Sequence, residues 1–228
     1  MSRYLFLKVV LLACLAGAGC TPMEPPSGIA ARTDGKIPVS ALAREVRLKV
    51  DMVPSGRHGR KVVRRMVPRY ITIHSTQNYS ADASRHSLAL KRGALRAPKR
   101  RGGNRIGYLI WHFTTDDKMA IQHMPTSEQG EHADFDGEGN RRSIGIEMCE
   151  ERGSNLWVTV DRTAKLAAIL MKQHNIPIYN VVPHYHWPRR GSKPEHKNCP
   201  HFLLDNGRPG ERWSAFRNKV DYYYHRLQ

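Results

Sequence analysis

The chain of 228 residues has only four cysteines, at positions 14, 20, 149 and 199, too few for a disulfide-built fold. It contains no internal repeat, which excludes solenoid and propeller architectures. Its one strongly apolar run, "VVLLACLAGAGC" (9–20), is too short and too rich in small residues for an ordinary membrane span. Acidic residues are scarce, 20 against 37 Lys and Arg, for a formal net charge of +17. The segment "KRGALRAPKRRGGNR" (91–105) has no acidic and no aromatic residue. Without interleaved aromatics it lacks the faces on which single-stranded bases stack, so no nucleic-acid partner is expected. What is present is enough chain for one domain with a substantial core, plus tails.

Residues 1–19 read as an export leader. Arg3 and Lys8 precede or interrupt the apolar run, and "AGAGC" followed by "TPMEPPSG" resembles a bacterial lipoprotein signal. Cys20 would then carry lipid, whose buried methylenes contribute about 0.8 kcal/mol each to a membrane anchor. Gly17 stands where such signals usually have Leu, so a soluble secreted protein cut nearby is the competing reading. Thr21, where an aspartate often retains lipoproteins at an inner membrane, directs the expectation to an outer membrane facing the periplasm. Residues 20–45 read as a Pro/Gly/Ser-containing tether, and 46–228 as the folded domain. Basic clusters at 57–69 and 91–105 would attract anionic lipid or wall polymers, or simply stay solvated.

Along the domain, strand-like and helix-like segments alternate. "RYITIHST" (69–76) is a β-branched run, and 80–94 has helical composition with Ser80 or Asp82 as cap. Residues 107–117 and 119–125 read as a strand pair, and "RSIGIEMCE" (142–150) as a strand apolar enough to be central. Cys149, behind that strand, reads as a small buried hydrophobe. A helix is predicted over 161–175 with Asp161 at its cap, a strand over 176–184, and a terminal helix over 212–225 docking through Trp213, Phe216, Val220 and Tyr223. The fold class expected is α/β, a single domain with a central mixed β-sheet flanked by helices.

Chemistry-bearing residues sit at strand ends. His74 closes one strand, Glu147 lies within another, and "HYHWPRRGSKPEHKNCP" (184–200) follows a third with three histidines and Cys199. Imidazole and thiolate are preferred zinc ligands, and strand ends in α/β sheets commonly carry the site. The blocks "YITIHSTQN", "WHFTTDDKMAIQHMP", "EHADFDGEGNRRSIGIEMC", "HNIPIYNVVPHYHW" and "KNCPHFLL" stand in the order found in one family. Across 65–222 the chain resembles the type 2 N-acetylmuramoyl-L-alanine amidases, which include phage endolysins, bacterial wall amidases and peptidoglycan recognition proteins.

The resemblance implies a zinc site at one edge of the sheet, with His74, His184 and Cys199 as ligands. It implies a zinc-bound water as nucleophile, Glu147 as the group that moves its proton, and Lys197 as a stabiliser of the oxyanion. The bond cut would join N-acetylmuramic acid to L-alanine in peptidoglycan, during wall remodelling or recycling, by a protein expected to be monomeric. His132 and Trp111 fall at substrate-groove positions and His112 at a structural one. Trp111 replaces a tyrosine that assists the reaction in some members. Family register favours His184 over His186, while the long interval before Cys199 leaves His196 or His201 conceivable as substitute ligands. The alternative reading is a non-catalytic muropeptide recognition protein, against which Cys199 and Glu147 speak.

Overall fold

The computed structural model describes residues 35–97 and 106–228. The expected leader, Cys20, the start of the expected tether and residues 98–105 of the second basic cluster lie outside the described residues. The elements are α1 (Val39–Val46), β1 (Leu48–Val50), β2 (Tyr70–Ser75), α2 (Ala83–Arg92), β3 (Phe113–Thr115), β4 (Ala120–Gln122), α3 (Glu138–Arg142), β5 (Ser143–Met148), α4 (Leu156–His174), β6 (Val181–Pro183) and α5 (Glu211–Arg226). Six strands form one mixed sheet in the order β1-β4-β3-β5-β2-β6. Only the β3–β4 pair is antiparallel. Among the described residues no helix is long and apolar enough to cross a membrane.

Alternation along the strands divides the sheet into two faces. Ile71, Ile73, Ile144, Ile146 and Met148 point into the main core, where α1, α4 and α5 pack on them through Leu42, Val46, Leu166, Leu170, Phe216 and Val220. The intervening residues, Thr72, His74, Gly145 and Glu147, belong to the opposite face. The paired register sets His74 directly beside Glu147. Period two along two adjacent parallel strands is therefore what separates the oily side from the chemical side.

Four expectations shift. The tether does not run to 45, because α1 already buries Leu42 and Val46 in the core. Helix α4 begins at Leu156, with the side chain of Asn155 capping the N–H groups of Trp157 and Val158. Asp161 is one and a half turns inside it, paired with Lys165 and Lys219 at 2.8 and 3.0 Å. The β-branched stretch before 161 has weak helix propensity, but burial of Thr159, Val160 and Thr163 against the sheet overrides it. The expected strand over 107–117 shrinks to Phe113–Thr115, and that over 176–184 to Val181–Pro183 after a 3-10 turn. Asp82 caps α2 by accepting from the Arg85 N–H.

Candidate metal centre and active site

β2 delivers His74 from its C-terminal end, the 3-10 turn after β6 delivers His184, and the loop before Pro200 delivers Cys199. All three side chains are buried, and their ligand atoms lie within 4.8 Å of one another. Burial holds both imidazoles neutral. The proton affinity of His74 is well below the usual range, through burial and then the neighbouring His184, His132 and Lys197. Burial, with the Lys197 charge, pushes His184 down to about 3.

The hydrogen bonds fix which nitrogens carry protons. His184 Nε2 lies 3.1 Å from the Ala133 carbonyl, which can only accept, so His184 is protonated at Nε2 and bare at Nδ1. His132 Nε2 lies 3.3 Å from the Ser143 carbonyl, so its Nδ1 is the acceptor for His74 Nε2–H at 3.0 Å. That leaves His74 bare at Nδ1 as well. The two Nδ1 atoms then face each other across 2.9 Å with lone pairs and no proton between them. Such an arrangement is repulsive unless a cation sits against both. The third donor fits: the Cys199 sulfur accepts from the Ser75 N–H at 3.3 Å. Burial and the Glu147 carboxylate push its thiol up to about 12 in the absence of a cation, partly opposed by Lys197. A metal deprotonates a coordinating thiol outright, so the donor set suits a divalent ion with three protein ligands.

Glu147 completes the cluster. Its Oε1 is 3.8 Å from His74 Nδ1, and its Oε2 is buried without a hydrogen-bond partner. Burial lifts its carboxyl to about 7, with Lys197 pulling down and Glu150 pushing up. The Lys197 charge thus acts on Glu147, His74, His184 and Cys199 together. His186 is exposed, and His196 donates from Nδ1 to the Tyr185 carbonyl at 2.7 Å, so neither joins the metal group. His201 lies against Ser75 and Glu150, at 3.3 and 3.4 Å, and is outside the group too.

Two expected substrate contacts are placed differently. His132 is buried and spends both ring nitrogens on His74 and Ser143, so it supports a ligand rather than reaching into a groove. Trp111 is 5% exposed, packs with Val53, Leu90, Ile110 and Met124, and donates its indole N–H to Thr114 Oγ1 at 2.7 Å. Its large apolar ring is worth more in that small core than at a wet surface. His112 is structural as expected, accepting from the Gly145 N–H and donating to the Glu128 carbonyl.

The supporting loop 131–135 was not foreseen. Asn140 Oδ1 accepts from the N–H groups of both His132 and Ala133 at 2.8 Å, and its Nδ2 donates to Glu131 and the Phe135 carbonyl. One side chain thereby clamps the loop that supplies both outer partners, His132 Nδ1 for His74 and the Ala133 carbonyl for His184. Gly130 and Gly145 make room for the His132 ring, since a Cβ at either would come within 2.4 or 2.9 Å of it. Outer partners of this kind orient metal ligands and set their tautomers.

Residues 64–202 match the family described as N-acetylmuramoyl-L-alanine amidase. The N-acetylmuramoyl-L-alanine amidase XlyA of Bacillus subtilis (strain 168) is 38% identical over 170 residues, 73% of this chain and 48% of that one. CwlH of the same strain, named likewise, is 36% identical over 179 residues, 77% of this chain and 61% of that one. The chain thus spans about half of one relative and three fifths of the other. The solved catalytic domain of XlyA aligns at 36% identity with a TM-score of 0.62, covering 77% of this chain and 99% of that structure. PlyL aligns at 31% identity and TM-score 0.58, over 77% and 96%. The chain belongs to the N-acetylmuramoyl-L-alanine amidase family.

Proposed function

We propose that this domain hydrolyses the amide joining N-acetylmuramic acid to L-alanine in peptidoglycan, with zinc held by His74, His184 and Cys199. The observation that carries the reading is the convergence of two bare imidazole nitrogens and a thiol on one buried point beside Glu147. Zinc, when bound there, supplies a Lewis acid that acidifies water toward a pKa of about 7 and polarises a carbonyl.

The chain's own groups do the rest. Glu147 Oε2, buried and unpartnered, takes a proton from the attacking water. The water oxygen bonds to the lactyl carbonyl carbon, and Lys197 lends positive charge to the oxygen that becomes negative. As the carbon–nitrogen bond breaks, Glu147 returns its proton to the departing L-alanine nitrogen. Free carboxylate and free amine result. A single carboxylate beside the reacting atoms can serve both halves of that transfer, first as base and then as acid.

The leader-like 1–19 and Cys20 support the reading of an exported protein, lipid-anchored on the periplasmic face of an outer membrane, where its substrate would be the wall. Mass spectrometry of fragments released from purified peptidoglycan tests the activity. Stem peptides with an L-alanine amino terminus are expected. Retained wall binding with no release would replace this reading by a recognition protein.

A further inference from the structure

The ends of β2 and β5 that start the strands lie opposite the site. β2 has six residues, so at about 3.3 Å per residue its two ends are roughly 17 Å apart. Three pieces of chain meet at the starting end. The segment 61–69 leads into β2, and the Arg69 N–H donates to the Arg142 carbonyl at the end of α3. Asn180 Nδ2, in the turn before β6, donates to the Arg69 carbonyl at 2.9 Å.

Segment 57–69, "RHGRKVVRRMVPR", contains no acidic residue. It alternates inward and outward near its end. Arg64 turns in to pair with Glu131 at 2.6 Å, and Met66 is buried in the main core. Val63, Arg65, Val67 and Arg69 are all exposed, with Val63 46% and Val67 78% accessible. Tyr179 in the adjoining turn is 70% accessible, and Arg141 of α3 is exposed as well. Neighbouring acids are already engaged: Glu128 with Arg60, Glu131 with Arg64, and Glu138 with Arg142 at 3.6 Å. Among the described residues Arg65, Arg69 and Arg141 have no acidic partner within ion-pair distance.

We propose that this pole docks on an anionic lipid bilayer. Cations alone would suit any polyanion, but valines and a tyrosine interleaved with them gain nothing from a soluble polymer. A bilayer rewards both, since Arg pairs with anionic headgroups while Val and Tyr enter the headgroup–acyl boundary. Docking by the strand starts leaves His74 and Glu147, at the strand ends, directed away from the lipid. The inference rests on this surface and is independent of the amidase reading.

The test uses full-length Val67→Trp protein, its emission corrected for the native tryptophans with the unsubstituted chain. Vesicles are of phosphatidylcholine alone or mixed with phosphatidylglycerol, with brominated acyl chains as quencher. The expected result is a blue shift and quenching of the added indole emission only on the anionic vesicles. Adding Arg65→Glu and Arg69→Glu should weaken that signal's lipid dependence by roughly tenfold or more, and Tyr179→Ser should weaken it further. Since the indole at position 67 reports its own depth, any binding through residues 1–34 does not mimic the signal. An emission that stays water-like on both vesicle types overturns the proposal. Binding to a soluble anionic wall polymer with no quenching by lipid overturns it in favour of a polyanion site.

Discussion

Cys199 and Cys149 are both fully buried, and each has histidines close by. Cys149 Sγ lies 3.6 Å from His86 Nδ1, in a region that also holds Trp111 and His123. There, however, His86 Nδ1 carries a proton, because it lies 2.8 Å from the Asp82 carbonyl and can only donate to it. The nitrogen nearest the sulfur is thus a protonated one, and burial pushes the Cys149 thiol far up, with neighbouring acids pushing it further. Around Cys199 the outer nitrogens are the protonated ones, held by His132 and the Ala133 carbonyl, so the inner lone pairs converge. Residue types are shared between the two places. What differs is the direction in which the protons point, and that direction is set by carbonyls and a clamped loop.

The difference can be broken from either side. Cys199→Ser should abolish metal retention and activity, while Cys149→Ser keeps both, as measured by metal content and wall hydrolysis. Glu147→Gln should keep the metal but lower turnover by about 10² to 10⁴. The same substitution should act on stability in metal-free protein. A carboxyl whose folded pKa is raised costs stability once the unfolded state ionises, from about pH 4.5 upward, reaching its full cost above about 7. Glu147→Gln should therefore stabilise the metal-free protein at pH 8, by at most about 3 kcal/mol, and change it little at pH 4. Thermal melts at both values decide this, and a gain confined to pH 4 would contradict it.

Smaller effects sharpen the contrast. His132→Phe and Asn140→Ala should weaken metal binding by about 10- to 100-fold in competition with a chromophoric chelator. His123→Phe, in the other cluster, should leave metal affinity unchanged. Nitrogen NMR should find His74 and His184 protonated at Nε2 in the intact protein, and a mixture of tautomers for His74 in His132→Phe. Cys149→Ala, which only trims a buried sulfur, should cost about 1 kcal/mol of stability with no change in metal content.

Much of this was legible in the residues. "YITIHS" and "SIGIEM" read as strands because unbroken β-branched and apolar runs leave few other options, and the structure puts them side by side. His74, Glu147, His184, Lys197 and Cys199 stood out at strand ends or in the loop that follows one, and the family resemblance supplied the roles expected of them. The support was not legible, since half of it is the Ala133 carbonyl, which has no residue identity. His132 showed its position but not its role, because a histidine that touches substrate and one that holds another histidine look alike in sequence. Trp111 misled because it stands where some family members carry a tyrosine, and Asp161 through its resemblance to a cap. In both cases tertiary packing decided. Val67 and Tyr179 carried no signal at all until the fold brought their segments to one end of the sheet.

The measurement that tests the central claim most directly is X-ray absorption at the zinc edge of protein loaded with one equivalent of zinc. Two nitrogens at about 2.0–2.1 Å and one sulfur at about 2.3 Å, with the remaining position filled by a light atom, are predicted. The sulfur should vanish in Cys199→Ser and persist in Cys149→Ser. A first shell without sulfur, or with sulfur that survives Cys199→Ser, would contradict the account.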